Sequence, residues 1–142
     1  MSLGGDLRSD LALYEGLAGF RMALRRFLAF SEVVTRESGV TPAQYQAMLV
    51  IKTHPGSGVV IRELAEQMLL QHHGAVQLVD RLCTAGLARR TYAAKDRRSV
   101  FVVLTAKGAT LLARLASAHK NELMKYEVLL AESLARLRDI ER

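Results

Sequence analysis

Residues 69–104 constrain the fold more than any other part of the sequence, because a helical pattern there gives way to two strand-like runs. A short connection at residues 69–71 leads into a segment whose apolar residues recur at helical spacing, at Val76, Val79 and Leu82. Gly86 ends this segment, since glycine adopts the positive φ angle that often closes a helix without steric cost. With a shorter helical segment before it, at residues 62–68, this arrangement predicts a helix-turn-helix.

A basic hairpin follows the helix-turn-helix. Residues 87–92 and 99–104 are strand-like, and a charged tip at residues 93–98 joins them. Residues 88–98 hold five cations and one anion, which accounts for four of the six net positive charges of the chain. A positive charge concentrated in this way favours a polyanionic partner such as DNA.

The two ends of the chain are long amphipathic segments without proline. Between residues 7 and 36, apolar side chains recur at steps of three and four, at Leu13, Leu17, Phe20, Leu24, Phe27 and Val34. A helix of this length extends about 40 Å at roughly 1.5 Å per residue, which is more than a small domain can cover. Thr105 is expected to cap a helix over residues 106–120, and residues 123–140 repeat the apolar spacing. We therefore predict that both ends pack against a second copy of the chain.

Residues 41–68 connect the first long helix to the helix-turn-helix. Residues 41–44 form a capping box with proline at the first helical position, so a helix begins there and runs to about Thr53. A turn-rich loop at residues 54–58 precedes a short strand at 59–61. The expected fold class is mainly α with a small β-hairpin wing, a winged helix-turn-helix with long N- and C-terminal dimerisation helices.

Several classes of function are disfavoured by what the sequence lacks. Cys83 is the single cysteine, so no disulfide forms within the chain, and no signal segment occupies residues 1–10. No apolar run approaches the roughly 20 residues that span a bilayer. A glycine-rich phosphate loop, a nucleophile elbow, an acid–base pair and a cluster of metal ligands are all lacking. The sequence predicts a cytoplasmic protein that is not an enzyme, needs no cofactor and does not contact membranes.

Four short motifs resemble the signatures of the MarR family of winged-helix regulators. They are LVDRL at residues 78–82, AGL at 85–87, DRRS at 96–99 and LTAKG at 104–108. Their order and spacing also agree, and the resemblance covers nearly the whole chain. It implies one domain, with dimerisation helices at residues 7–37 and 106–142 and a DNA-binding lobe at 42–104. It further implies a two-fold homodimer on a pseudo-palindromic operator in double-stranded DNA, with half-sites roughly 34–36 Å apart.

The start of the fourth helix is the expected recognition element, because side chains there would reach base edges in the major groove. The candidates are Gln71, His72, His73, Gly74 and Gln77. The glutamine amides suit adenine edges, and the histidines can donate to bases or phosphates. Relatives more often carry Ser or Thr near these positions, so an ordinary solvated helix start is the alternative. Gly74 indicates either close approach of the backbone to DNA or simple tolerance of glycine.

The hairpin supplies the second set of candidate DNA contacts. Arg97 and Arg98 are expected in the minor groove, which attracts arginine where it is narrow, and Arg98 is the first choice. By resemblance to the family, Asp96 orients a wing arginine. The other candidates are assigned to phosphates, which fix register without reading sequence: Arg81, Arg89, Arg90 and, in the wing, Lys95. For Arg81, a structural ion pair is the alternative.

The histidines and the cysteine predict no further chemistry. His72 and His73 are adjacent, and adjacent helical residues point about 100° apart, so a metal site is not expected. His54 and His119 are isolated and are expected at the surface or at an interface. Cys83 has no obvious activating base, which favours an inert thiol over a redox sensor.

The resemblance also implies an effector crevice between the dimerisation helices and the DNA-binding lobe. A small apolar or aromatic ligand would contact the residues Phe20, Leu24, Phe27, Tyr45 and Met48. The alternative is that these residues form ordinary helix-packing core. We therefore predict a transcription regulator, specifically a repressor that a small molecule releases from DNA. A winged-helix protein-interaction module that no longer reads DNA is the competing hypothesis.

Overall fold

The computed structural model describes residues 7–56, 58–93 and 96–141, with the backbone alone at residues 93, 96–99 and 141. Its elements follow the order α1 (Leu7–Glu37), α2 (Pro42–Thr53), α3 (Ile61–Met68), α4 (His72–Thr84), β1 (Ala88–Ala93), β2 (Asp96–Leu104), α5 (Ala106–Met124), α6 (Glu127–Arg138) and a 3₁₀ turn (Asp139–Glu141). This order confirms the expected fold class of helices with one hairpin. Across the described residues, no helix combines the length and apolar character that crossing a membrane requires.

Contacts divide the chain into two compact units. The terminal-helix unit comprises residues up to Val33 and from Ala118 onwards, and the winged-helix unit comprises Val34–Ser117. The second unit therefore takes in more of the chain than the 42–104 lobe that the motifs implied. The first turns of α5 belong to it because Leu112 and Leu115 are buried in its core.

The winged-helix unit is built around one apolar core. Its fully buried apolar side chains come from α2, α3, α4, β2, α5 and the segments between them, and include Met48, Val59, Leu64, Val79, Leu82, Leu87, Val102 and Leu115; Thr35 at the end of α1 is also fully buried. β1 and β2 are antiparallel, with Ala88 opposite Leu104. The short strand expected at residues 59–61 is reduced to one bridge, in which Val59 and Val102 exchange backbone hydrogen bonds of 3.1 and 2.8 Å.

The start of α2 confirms the capping box. The Gln44 backbone N–H donates to Thr41 Oγ1 at 3.1 Å, and the Thr41 N–H donates to Gln44 Oε1 at 2.8 Å. Pro42 occupies the first helical turn, where its missing N–H costs nothing. These contacts lie within four residues of each other, so local sequence is sufficient to specify them.

The terminal-helix unit brings α1 close to α6. A Cβ added at Gly16 would lie 2.9 Å from the carbonyl oxygen of Ser133, so a glycine permits this approach. In the same unit, His119 is 4% exposed, and its Nε2 lies 2.8 Å from Ser31 Oγ. The rings of Phe27 and Phe30 meet the imidazole edge-on, at centroid distances of 5.8 and 5.7 Å. The expectation that His119 lies at the surface or an interface is therefore wrong, because the helix face that carries it turns into the protomer.

Candidate nucleic-acid interface

The start of α4 presents a row of polar side chains to solvent. Gln71 is the N-cap residue, and its side chain makes no capping hydrogen bond. Four of the five residues predicted for the recognition element are exposed, namely Gln71, His72, His73 and Gln77. The opposite face is buried through Ala75, Leu78, Val79 and Leu82, whereas Val76, which we expected inside, is half-buried. The core thus fixes the helix, and its polar face stays exposed in the part of the chain that the structure describes.

Gly74 lies between the exposed residues, and no atom of the residues that the structure describes requires a glycine there. A Cβ at this position would meet a single neighbour, the Cβ of Leu70, at the ordinary contact distance of 3.9 Å. Packing within the protomer therefore does not explain why this helical position lacks a side chain.

The C-terminal end of α4 is held by the start of α5. Gly86 has φ +76°, and the Leu87 N–H closes back on the Leu82 carbonyl at 2.9 Å. The Thr105 hydroxyl donates to the Gly86 carbonyl at 2.6 Å, and Lys107 Nζ donates to the Ala85 carbonyl at 3.0 Å. Two of the four sequence motifs, at residues 85–87 and 104–108, therefore contact each other. We call this contact the joint between α4 and α5.

A second glycine belongs to the same joint. A Cβ at Gly108 would overlap the carbonyl oxygen of Leu87 and lie 2.9 Å from its carbonyl carbon. Glycine is required because α5 passes this close to the backbone that leaves α4. The C-terminal end of α4 is consequently fixed by backbone contact as well as by side chains.

The wing is an antiparallel hairpin whose pairing becomes irregular near its tip. Tyr92 pairs with Val100, and the register then shifts so that Ala93 lies opposite Asp96. The backbone of the predicted wing residues Asp96, Arg97 and Arg98 belongs to β2, but their side chains lie outside the described part of the chain, as does all of Lys95. Their assigned roles remain predictions.

Arg90 joins the wing to α4, a contact that the sequence did not reveal. Its Nη2 donates to Asp80 Oδ1 at 2.5 Å, and its Nη1 donates to Cys83 Sγ at 3.6 Å. We had assigned Arg90 to a phosphate, together with Arg81 and Arg89. The structure places the side chains of those two residues in solvent, while the Arg90 guanidinium is engaged within the protein.

The remaining histidine and cysteine side chains do not assemble a metal site. Among the residues that the structure describes, no group of three or more His, Cys, Asp or Glu side chains could hold a metal ion. His54 pairs through Nε2 with Glu63 Oε2. Cys83 is partly buried and accepts the hydrogen bond from Arg90.

The five residues predicted for the effector crevice fall into two groups. Phe20, Leu24 and Phe27 line an apolar cavity of about 210 Å³ in the terminal-helix unit, together with Ala23, Leu123, Tyr126 and Leu130. Tyr45 and Met48 belong instead to the core of the winged-helix unit, where Met48 is fully buried. Burial raises the pKa of the Tyr45 hydroxyl.

Comparison with known proteins identifies the family of this chain. Residues 38–99, which span α2 to the wing, match the model of the MarR family. The whole chain is also 31% identical, over 147 aligned residues, to a protein of Thauera aromatica described as a putative transcriptional regulatory protein for the hcr operon. That alignment covers 98% of this chain and 83% of the relative. The chain belongs to the MarR family.

The chain is also similar to a further repressor and, in fold, to two solved structures. The HTH-type transcriptional repressor MdtR of Bacillus subtilis is 30% identical over 96 residues, which cover 68% of this chain and 61% of MdtR. The crystal structure of AbsC from Streptomyces coelicolor superposes with a TM-score of 0.70 at 22% identity, over 83% of this chain and 81% of AbsC. The F27L mutant of S. aureus MepR, solved bound to an oligodeoxyribonucleotide, has a TM-score of 0.66 at 18% identity, over 85% of this chain and 91% of MepR.

Membership of the MarR family fixes the general function. The family consists of transcriptional regulators, not enzymes, and its members are DNA-binding homodimers. The chain is accordingly a dimeric, DNA-binding transcriptional regulator.

Proposed function

We propose that this MarR-family protein is a repressor that binds a pseudo-palindromic operator and is released by a small molecule. The observation that carries the proposal is the start of α4, where Gln71, His72, His73 and Gln77 are exposed on a helix whose other face is buried. A helix held in this way can enter the major groove without rearrangement of the core. The basic charge of residues 88–98 argues against the competing hypothesis of a protein-interaction module, because such a charge suits a polyanionic partner.

The residues at this surface divide by the kind of DNA contact. The exposed amides and imidazoles of α4 read base edges, and Arg98, with Arg97, enters the minor groove from the wing. Arg81, Arg89 and Lys95 meet phosphates, which fix the register on the duplex. Gly74 lets the α4 backbone approach the DNA closely, because no neighbouring side chain fills the space beside it.

Arg90 positions the wing instead of meeting a phosphate. Its two hydrogen bonds, to Asp80 and Cys83, hold β1 against α4. A guanidinium that is already paired would have to give up charge-assisted hydrogen bonds before it could contact DNA. Asp96 orients an arginine at the tip of the same hairpin.

The effector is a small apolar or aromatic molecule. The cavity that Phe20, Leu24 and Phe27 line is apolar, and its volume of about 210 Å³ is larger than the roughly 150 Å³ of an apolar cavity that binds benzene. A ligand that binds one conformation of the dimer better than another shifts the population away from the DNA-bound state. Because it acts on DNA, we place the protein in the cytoplasm, and we assign it no catalytic activity.

The experiment that tests the proposal is selection from a pool of random duplex DNA with the purified dimer, followed by sequencing. We expect an inverted repeat whose half-sites lie about one helical turn apart. Binding to the winning sequence should weaken as salt rises, because neutralised phosphates release counterions. If the pool yields no enriched sequence and the protein binds DNA no better than an unrelated basic protein, the operator proposal is wrong.

A further inference from the structure

Leu69, in the turn between α3 and α4, combines two unfavourable features. The residue is 93% exposed, more than any other large apolar residue in the described part of the chain. Its φ angle is +55°, in the left-handed region, where every other described residue with positive φ is a glycine. An exposed leucine in a conformation that suits glycine gains nothing from contacts within the protomer.

The turn explains the conformation but not the side chain. The Leu70 N–H donates to the Ala65 carbonyl at 2.9 Å, and the Leu69 N–H donates to the Glu66 carbonyl at 3.3 Å. These two hydrogen bonds end α3, and they require the left-handed conformation at residue 69. Glycine adopts that conformation without the steric cost that a Cβ adds. A leucine at this position therefore points to a contact outside the protomer.

The position of Leu69 identifies the kind of contact. It lies two residues before Gln71, the N-cap of α4, and thus borders the exposed row that we assign to the major groove. The apolar group that base pairs display in that groove is the C5 methyl of thymine. We propose that Leu69 packs against a thymine methyl group of the operator and selects thymine at that position in each half-site. This inference rests on the proposed docking of α4.

Uracil substitution tests the contact directly, because uracil pairs like thymine but lacks the methyl group. Each thymine of the selected operator is replaced in turn, and the affinities of wild type and Leu69→Ala are compared. At one position per half-site, uracil should weaken wild-type binding about fourfold, the effect of burying one methyl group. The same replacement should leave Leu69→Ala unaffected. Equal effects of uracil on both proteins at every position would overturn the inference.

Two further variants separate this contact from folding and from the docking of α4. Leu69→Gly removes both the side chain and the left-handed strain, so its melting temperature should equal or exceed that of wild type. It should nevertheless show the same loss of thymine preference as Leu69→Ala. Gln77→Ala tests the docking itself. If Gln77→Ala weakens binding while both Leu69 variants keep the wild-type uracil profile, Leu69 alone is wrongly assigned. If none of the three variants alters binding, the docking of α4 is wrong as well.

Discussion

Arg90 on β1 and Asp80 on α4 form an ion pair in which the guanidinium Nη2 lies 2.5 Å from the carboxylate Oδ1. The same guanidinium donates to the Cys83 sulfur one turn further along α4. The hairpin and α4 are thereby held together by side chains on their facing surfaces. Both partners are partly exposed, so the pair contributes more to orientation than to stability.

Breaking this pair should weaken DNA binding from either side. We expect Asp80→Ala and Arg90→Ala each to lower operator affinity by roughly two- to fivefold, the range of a partly exposed ion pair. The double variant should be no worse than either single one, because both remove the same contact. Affinity measured across a salt series distinguishes the alternative. If Arg90 met a phosphate, Arg90→Ala alone would reduce the salt slope by about one, while Asp80→Ala would not weaken binding.

Arg98→Ala should weaken operator binding by about 1–3 kcal/mol, the usual cost of losing an arginine from a DNA groove. Fluorescence anisotropy with the selected operator measures the effect. Arg138→Ala, which removes an exposed arginine of α6 far along the chain from the wing, is the matched control and should bind as wild type. Equal losses in the two variants would indicate a general charge effect and would remove Arg98 from the wing contacts.

Gly74→Ala should change stability and DNA binding in opposite directions. Alanine favours a helix over glycine by about 1 kcal/mol, and the space beside Gly74 is open, so the melting temperature should rise by roughly 3 °C. Operator affinity should fall, because the added methyl group keeps the backbone away from DNA. Thermal unfolding and anisotropy on the same preparation check both signs. Unchanged affinity would mean that glycine is merely tolerated at this position.

Gly108→Ala should destabilise the protein by about 3 kcal/mol, since its Cβ would collide with the backbone of Leu87. Urea unfolding measures the loss. Gly74→Ala is the matched control, because it makes the same substitution in a helix where no atom obstructs it. A midpoint for Gly108→Ala equal to that of wild type would show that the joint between α4 and α5 relaxes freely.

Ala23→Leu should fill the cavity of the terminal-helix unit, whose wall includes Ala23. Toluene serves as a probe because it is apolar, aromatic and small enough for a volume of about 210 Å³. It should raise the melting temperature of wild type, since a ligand that binds the folded state stabilises it, and should not affect Ala23→Leu. Operator binding by Ala23→Leu without toluene should remain intact. A toluene effect of equal size in both proteins would place the binding site elsewhere.

Local signals in the sequence account for most of the fold that was predicted correctly. The capping box at Thr41 and Gln44, the glycine that ends α4 and the hairpin all depend on residues within a few positions of each other. The exposed row at the start of α4 follows from helical periodicity, which needs no knowledge of distant contacts. The family motifs extended these signals to a function, because their order and spacing matched a known arrangement.

The remaining features depend on contacts between residues that are distant in sequence. His119 is buried because its ring contacts Ser31 and Phe27, which lie about ninety positions earlier in the chain. The first turns of α5 join the winged-helix core through Leu112 and Leu115. The spacing of these leucines in the sequence does not show which of the two units they pack into. Whether Arg90 faces Asp80 or solvent likewise depends on how β1 packs on α4.

The sequence by itself thus determined the helices and the two hairpin strands, where they begin and end to within a few residues, and which family they belong to, but it wrongly predicted a strand at residues 59–61. Tertiary structure alone decided which charges pair, which histidine is buried and that Leu69 stands exposed in a left-handed turn. The physical reason is that periodicity and capping act between neighbours along the chain, whereas burial and pairing depend on the geometry of packed elements.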